Sequence, residues 1–179
     1  MIELNCSYEE SKKILELGYD FSKICIEWQH NFYPPNGDPS KGKIVKWFRL
    51  GEYLVNPTLT GMLTHHEVDL LNTYTIDSEE ALADLKNYKM GDEHTPLIPI
   101  TPKAALEACL PDFLCVKDFY GELDRSRFVK RLCNGMIDLN SQDSMTVSHD
   151  WFNSAYEAFI WCHEHHPEEL RKKFEEVMG

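Results

Sequence analysis

The sequence predicts an α+β fold, in which N-terminal, central and C-terminal helices pack on a small antiparallel sheet. Three observations lead to this expectation: capping signals that begin helices, short segments of alternating apolar residues, and proline- or glycine-rich turns between them. The chain has 179 residues, of which 12% are aromatic. A chain of this length fits one domain, residues 1–179, and buries roughly 70% of its unfolded surface.

The first helix is predicted over residues 8–17. Ser7 and Glu10 form a capping-box pattern, in which each side chain satisfies a backbone amide at the other position. Gly18 then stands where helices commonly end in a left-handed residue.

Two strands are predicted to follow as a hairpin with a long loop. In residues 24–29 the alternation places Ile24, Ile26 and Trp28 on one face. Residues 34–39 contain three prolines and an Asn-Gly pair, so they favour a reversal of the chain. The second strand is expected over residues 43–50.

Residues 51–94 have no decisive hydrophobic period, and they are an insertion candidate within the single domain. Capping patterns at Thr64 and Asp77 predict two helices there, over residues 64–71 and 77–88.

The central part of the chain begins with an extended segment and a short helix. Prolines at positions 96, 99 and 102 hold residues 97–100 extended. Thr101 is then expected to cap a helix with Pro102 at its first position, and Pro111 ends that helix. Residues 113–120 and 127–133 are predicted to pair as a hairpin, with a third strand over residues 135–139.

The C-terminal part is predicted to be helical. We expect Ser148 to cap a helix whose apolar stripe recurs at three- and four-residue spacing, at Trp151, Ala155, Phe159 and Cys162, widened by Phe152 and Tyr156. Pro167 then begins a shorter charged helix to Met178, with Glu168–Lys172 and Glu169–Lys173 pairs.

Composition limits the classes of partner. With 18 Lys and Arg against 30 Asp and Glu, the net charge is −12, which disfavours non-specific nucleic-acid binding unless a local basic patch overrides it. No apolar run approaches the ~18 residues of a membrane span, and the N-terminus lacks the features of a signal peptide. We therefore expect a cytoplasmic protein without membrane association. The six cysteines form no C-x-x-C pair, so we expect them to be reduced and mostly buried.

Three segments resemble a known group of proteins. Residues 7–20 form a capped helix that ends in Leu-Gly-Tyr-Asp, and residues 98–111 read Ile-Pro-Ile-Thr-Pro, a short helix and Leu-Pro. Residues 151–163 are expected to form an aromatic helix that contains Ile160-Trp161. Together, over about a quarter of the chain, they resemble small uncharacterised proteins encoded in phages and mobile elements of gut bacteria. The resemblance implies an α+β domain and an accessory gene. It assigns no catalytic residue.

Two histidine clusters are candidate metal sites. His163 and His166 would share a helix face, and His66 and Asp69 would share another. In both clusters a third ligand is not fixed by the sequence, so the favoured interpretation is polar residues at helix ends or in solvated loops.

A basic segment interleaved with aromatic residues is the candidate nucleic-acid surface. It contains Lys43, Lys46, Trp47 and Arg49, a pattern that can stack a base and contact its phosphate. The favoured interpretation is that these lysines protect a sheet edge from aggregation.

Nothing in the sequence predicts an enzyme strongly. The nucleophile elbow, the P-loop and the dinucleotide fingerprint are absent, and no cofactor is predicted. The first hypothesis is therefore a non-enzymatic protein that binds another protein through the aromatic set Trp151, Phe152, Tyr156 and Phe159, with homodimerisation through the terminal helices as one form of it. The alternatives are a small metal-dependent enzyme that uses a His/Asp site, and an acidic nucleic-acid mimic that blocks a host factor.

Overall fold

Four helices and nine strands occur in the part of the chain that the computed structural model describes, which is residues 4–32, 43–55, 73–75, 79, 97–117, 120–131, 133–142 and 148–179. The helices are α1 (Tyr8–Glu16), α2 (Lys103–Cys109), α3 (Ala155–His165) and α4 (Pro167–Met178). The strands are β1 (Glu27–Phe32), β2 (Lys43–Leu50), β3 (Tyr53–Val55), β4 (Thr73–Thr75), β5 (Ile98–Pro99), β6 (Leu114–Lys117), β7 (Leu123–Lys130), β8 (Ile137–Ser141) and β9 (Ser148–Phe152). The α+β class is confirmed.

The chain divides into two compact units. The N-terminal unit is Ser7–Thr101, and the C-terminal unit is Met1–Cys6 with Pro102–Gly179. Each unit holds its own antiparallel sheet, so the strands form two sheets where the sequence predicted a small one. Hydrophobic periodicity identifies strands, but it does not say which of them pair.

The sheet of the N-terminal unit has the strand order β4-β3-β2-β1-β5. Trp28 of β1 lies opposite Trp47 of β2, and both are buried together with Leu54 and Leu97. The predicted hairpin of two strands within residues 23–50 is confirmed, and its loop lies outside the described residues. Residues 53–55 and 73–75 of the predicted insertion pair as strands in this sheet, whereas the helices predicted from Thr64 and Asp77 lie outside the described residues, apart from a helical Glu79.

Helix α1 begins with the predicted capping box. The Glu10 amide donates to Ser7 Oγ at 3.2 Å, and the Ser7 amide donates to Glu10 Oε2 at 2.7 Å. Gly18 follows the helix with a φ of 83°, the left-handed conformation that favours glycine. The buried Ser11 hydroxyl accepts a hydrogen bond of 3.1 Å from the Thr101 amide, which ties the helix to the segment after β5.

The first strand begins later than predicted. The Ile24 and Cys25 amides both donate to the Phe21 carbonyl, so these residues lie in a turn, and β1 starts at Glu27. Ile24 and Ile26 are 45% and 66% exposed, whereas Trp28 is fully buried, so the predicted shared face of the three is wrong.

The C-terminal unit is built on the sheet β6-β7-β8-β9. Its first two strands form the predicted hairpin, in which Gly121 has a φ of 82°. Helix α3 packs on one face of the sheet, since the Trp161 ring lies 5.5 Å from that of Phe152 and 6.4 Å from that of Phe128, centroid to centroid. Helices α2 and α4 pack against α3 and against each other.

Two helix starts differ from the prediction. Trp151 and Phe152 lie on strand β9, which begins at Ser148. Helix α3 is therefore capped by Ser154 and not by Ser148. Helix α2 begins at Lys103 with Pro102 as its N-cap, one residue later than predicted. The last helix starts with Pro167 as predicted. Lys173 was expected to pair with Glu169, but it pairs with Asp112 at 2.8 Å and with Glu176 at 3.9 Å.

The cysteines are all free thiols, of which Cys115 and Cys133 are exposed and the other four are buried. Among the described residues, no helix combines the length and apolar character needed to cross a bilayer.

Candidate functional site

The basic segment of β2 does not present its aromatic residue to solvent. Trp47 is 2% exposed and packs in the core against Trp28, so its ring cannot stack a base. The indole Nε1–H donates to His30 Nδ1 at 3.3 Å, and His30 is itself buried. Trp47 therefore has a role in packing, and the proposed stacking at this position is wrong.

The charged residues of the same segment are engaged within the N-terminal unit. Lys46 Nζ pairs with Glu27 Oε1 at 2.8 Å. Arg49 donates from Nε to the Gly51 carbonyl at 3.2 Å and from Nη1 to the Lys23 carbonyl. Lys43 begins β2, and its side chain lies outside the described part.

His163 and His166 do not share one helix. His163 lies in the last turn of α3, whereas His166 is at once the C-cap of α3 and the N-cap of α4, with φ −141° and ψ 54°. His166 Nδ1 lies 3.9 Å from Glu169 Oε1, and its ring lies 5.5 Å from that of Trp161. The junction therefore turns His166 toward Trp161 and Glu169.

The neighbouring His165 acts as a helix-end residue. Its ring stacks on Trp161 at 4.8 Å, and its Nδ1–H donates to the Trp161 carbonyl at 2.9 Å. Both contacts hold the His165 ring against the last turn of α3.

The described residues supply no third metal ligand for the predicted histidine clusters. His66 and Asp69 lie outside the described residues. Within the described ranges, no three His, Cys, Asp or Glu side chains are grouped as a metal site. The two histidine clusters remain predictions.

The aromatic set predicted as an interface is split between core and surface. Phe152 and Phe159 are buried, Tyr156 is half-buried, and Trp151 is 57% exposed on the edge strand β9. Because Trp151 and Phe152 alternate on a strand, they point to opposite faces, and the four residues do not form one helical stripe.

A different apolar surface lies on strands β2 and β3. Phe48 is paired in register with Val55, and Leu50 with Tyr53, so the four side chains share one face of the sheet. Phe48, Leu50 and Tyr53 are 38%, 71% and 49% exposed, and Val55 is half-buried. We call these four residues the apolar quartet. Alternation along β2, with Trp47 inward, places Phe48 and Leu50 outward, so the sequence carried this signal.

A polar network borders the quartet. Glu27 lies opposite Phe48 on the neighbouring strand β1. Its carboxylate accepts hydrogen bonds from Lys46 at 2.8 Å and from Gln29 Nε2 at 2.6 Å. The arrangement is an exposed apolar centre beside a charged rim.

Buried thiols in the C-terminal unit are unsuited to nucleophilic chemistry. Burial raises the pKa of Cys109 to about 11 and that of Cys162 to about 12. The reactive form of cysteine is the thiolate, so both residues stay protonated near neutral pH.

A cavity of about 400 Å³ in the C-terminal unit is lined in part by an ion pair. Lys130 Nζ donates to both Glu107 carboxylate oxygens, at 2.7 and 2.8 Å. Ser154, which also lines the cavity, caps α3 by accepting from the Glu157 amide at 3.3 Å. The described lining therefore offers a structural ion pair and a helix cap.

Comparison with protein-family models, with curated proteins and with solved structures finds no match to this chain.

Proposed function

We propose that this chain is a non-enzymatic accessory protein, of the type encoded in phages and mobile elements, that acts by binding another protein through the apolar quartet. The observation that carries the proposal is the exposure of three large apolar side chains at adjacent positions of one sheet face. Contiguous apolar surface of this kind, bordered by polar residues, marks interaction sites.

The arrangement matches the anatomy of a protein interface. Interfaces have an apolar centre rich in aromatic residues and a polar, solvent-accessible rim. Phe48, Leu50 and Tyr53 supply the centre, and the Lys46–Glu27 pair supplies part of the rim. Since the rim charges are already paired, a partner with an apolar centre of its own can cover the quartet without desolvating a lone charge.

The contribution of a single quartet residue to the binding free energy is large enough to be measured. Complete burial of a leucine side chain contributes about 1.5–3 kcal/mol. Because Leu50 is 71% exposed, covering it contributes about 1–2 kcal/mol, which corresponds to roughly 5- to 30-fold in Kd.

The test compares two leucines of equal exposure. Leu50 of the quartet is 71% exposed, and Leu123 on β7 is 72% exposed. Tagged wild-type, Leu50→Ser and Leu123→Ser proteins are used to capture partners from a host lysate, and the captured protein is then purified and titrated against each variant. We expect Leu50→Ser to weaken binding 5- to 30-fold and Leu123→Ser to leave it unchanged.

Two results contradict the proposal. One is a partner whose affinity falls with Leu123→Ser and not with Leu50→Ser. The other is a concentration-dependent dimer of the purified chain, measured by sedimentation, that Leu50→Ser disrupts, since a second copy would then cover the quartet.

A further inference from the structure

Helix α1 covers one side of the sheet face that carries the apolar quartet. Ile98 of β5 lies opposite Gln29 of β1, which lies opposite Lys46 of β2, so the three side chains point to one face. Phe48 is two residues from Lys46 on β2 and therefore points to this face too. Because Tyr8 of α1 packs in a buried cluster with Ile98, the helix lies on the face of the quartet, over β5.

The face opens to solvent between β1 and β2. Gln29 of β1 is 7% exposed, and the side chain of Glu27 on the same strand is 13% exposed. On β2 the Lys46 side chain is 53% exposed, and Leu50 of the quartet is 71% exposed. The strands next to α1 are therefore covered, whereas the quartet on β2 and β3 is open.

The open part of the face has the width of one α-helix. Neighbouring strands are about 4.8 Å apart, so β2 lies about 10 Å from β5, and β3 lies about 14 Å from it. Packed helices lie about 8–10 Å apart, and a helix with its side chains is about 10–12 Å across. A second helix beside α1 would therefore lie over β2 and reach β3, which places it on the quartet.

A partner cannot reach the quartet by adding a strand to the sheet. Strand addition requires a sheet edge whose backbone N–H and C=O groups are unpaired. In the strand order β4-β3-β2-β1-β5, both β2 and β3 have a neighbour on either side. Recognition of the quartet therefore depends on side chains that pack onto the face, and a helix in this position continues the layer that α1 begins.

The charge left beside the quartet is negative. Glu52 lies in the turn between β2 and β3 and is exposed, and it forms no ion pair with any other described residue. Lys46 and Glu27, by contrast, are paired with each other at 2.8 Å. Since the whole chain also carries a net charge of −12, a helix with basic residues beside its apolar stripe complements the quartet and its rim.

From this geometry we propose that the partner binds the apolar quartet with a basic amphipathic α-helix, which packs beside α1 over β2 and β3. The inference rests on the proposed function and adds the kind of element that the partner supplies. Apolar residues at positions i, i+3 or i+4, and i+7 of such a helix form the stripe that covers the quartet. A lysine or arginine beside the stripe pairs with Glu52.

The experiment uses three labelled synthetic peptides of about 14 residues, or four helical turns, as probes. Two contain leucine and lysine in equal numbers, with the leucines at helical spacing in one and at every second position in the other, so that the second favours a strand. The third has the helical order with alanine in place of each leucine, and it measures binding through charge alone. Fluorescence anisotropy at about 0.15 M salt gives each Kd, and circular dichroism shows whether the bound peptide is helical.

We expect the helical peptide to bind the wild-type chain more tightly than the other two peptides do, and to gain helicity on binding. Leu50→Ser should weaken its binding by about 5- to 30-fold. Glu52→Gln should weaken it by about 1.5- to 5-fold, which is the range of an exposed ion pair. Leu123→Ser, at matched exposure in the other unit, is the control and should leave the Kd unchanged. Far-UV circular dichroism of each variant alone establishes that it is folded.

The inference is overturned if the alternating peptide or the alanine peptide binds as tightly as the helical peptide, or if Leu50→Ser leaves the Kd of the helical peptide unchanged. If the partner captured from the lysate then still depends on Leu50, the proposed function stands and only the helical partner is wrong. If neither the captured partner nor the peptide depends on Leu50, both fail. A wild-type dimer in sedimentation that Leu50→Ser disrupts assigns the face to a second copy of the chain and also overturns the inference.

Discussion

The C-terminal helix α4 depends on one buried residue, which makes Leu170→Ala a sharp test of the packing. Leu170 is fully buried and is the only buried residue of α4. At its surface, α4 also forms an ion pair between Lys173 and Asp112. The two contacts differ greatly in the stability that each can contribute.

Leu170→Ala removes three carbon groups from a fully buried site. At about 0.8 kcal/mol for each buried group, the transfer of these atoms accounts for about 2.4 kcal/mol, and the cavity left behind raises the loss to about 3–4 kcal/mol. By contrast, the Lys173–Asp112 pair involves an Asp112 side chain that is 75% exposed, so Asp112→Asn should cost at most about 1 kcal/mol.

Urea denaturation gives the free energy of unfolding of each variant, and hydrogen exchange of the α4 amides shows whether this helix opens first. Val177→Ala is the control, because Val177 lies on the same helix and is 39% exposed. We expect a change below about 1 kcal/mol for this variant. A loss below about 1 kcal/mol for Leu170→Ala would refute the assignment of Leu170 as the anchor of α4.

Three further predictions concern the capping box and the thiols. Ser7→Ala should lower the free energy of unfolding by about 1 kcal/mol in a urea titration, whereas Ser7→Gly should cost only a few tenths. At pH 8, Cys115 and Cys133 should react with a thiol reagent within the native protein, and all six cysteines should react in denaturant; more than two fast thiols would contradict the buried positions. Burial raises the pKa of Cys162 to about 12 and that of Cys109 to about 11, so the unfolded chain loses these protons at lower pH than the folded chain does. The free energy of unfolding should therefore fall as pH rises above about 9, and it should fall less steeply in Cys162→Ala.

Local signals in the sequence were sufficient for several elements of the fold. The Ser7–Glu10 box, Gly18 and Pro167 act through neighbouring backbone, and α1 and α4 begin or end where these residues predict. The β6–β7 hairpin likewise follows from its turn.

The errors arise where two local signals compete or where a distant contact decides. The spacing of Trp151, Ala155 and Phe159 imitates a helix, although it runs across the end of β9 into α3. The pattern Ser154-x-x-Glu157 marks the true helix start, and in the structure the Glu157 amide donates a hydrogen bond to the Ser154 hydroxyl. The Thr101 amide donates to the Ser11 hydroxyl, 90 residues away along the chain, a contact that no local rule predicts.

Alternation divides the residues of a strand between two faces, but it does not show which face meets the core. The basic residues of β2 resembled a nucleic-acid site because alternation alone does not reveal which face meets the core. In the structure the face that carries Trp47 is buried. Pairing with β3 places Phe48 and Leu50 beside Val55 and Tyr53 on the opposite face.

The single residue that α3 and α4 share as a cap limits how this region of the chain can vary. His166 ends one helix and begins the next, so no spacer separates them. A residue inserted into the first turn of α4 would rotate Leu170 by about 100° about the helix axis and turn it away from its buried site. The number of residues between His166 and Leu170 is therefore fixed by the packing of α4.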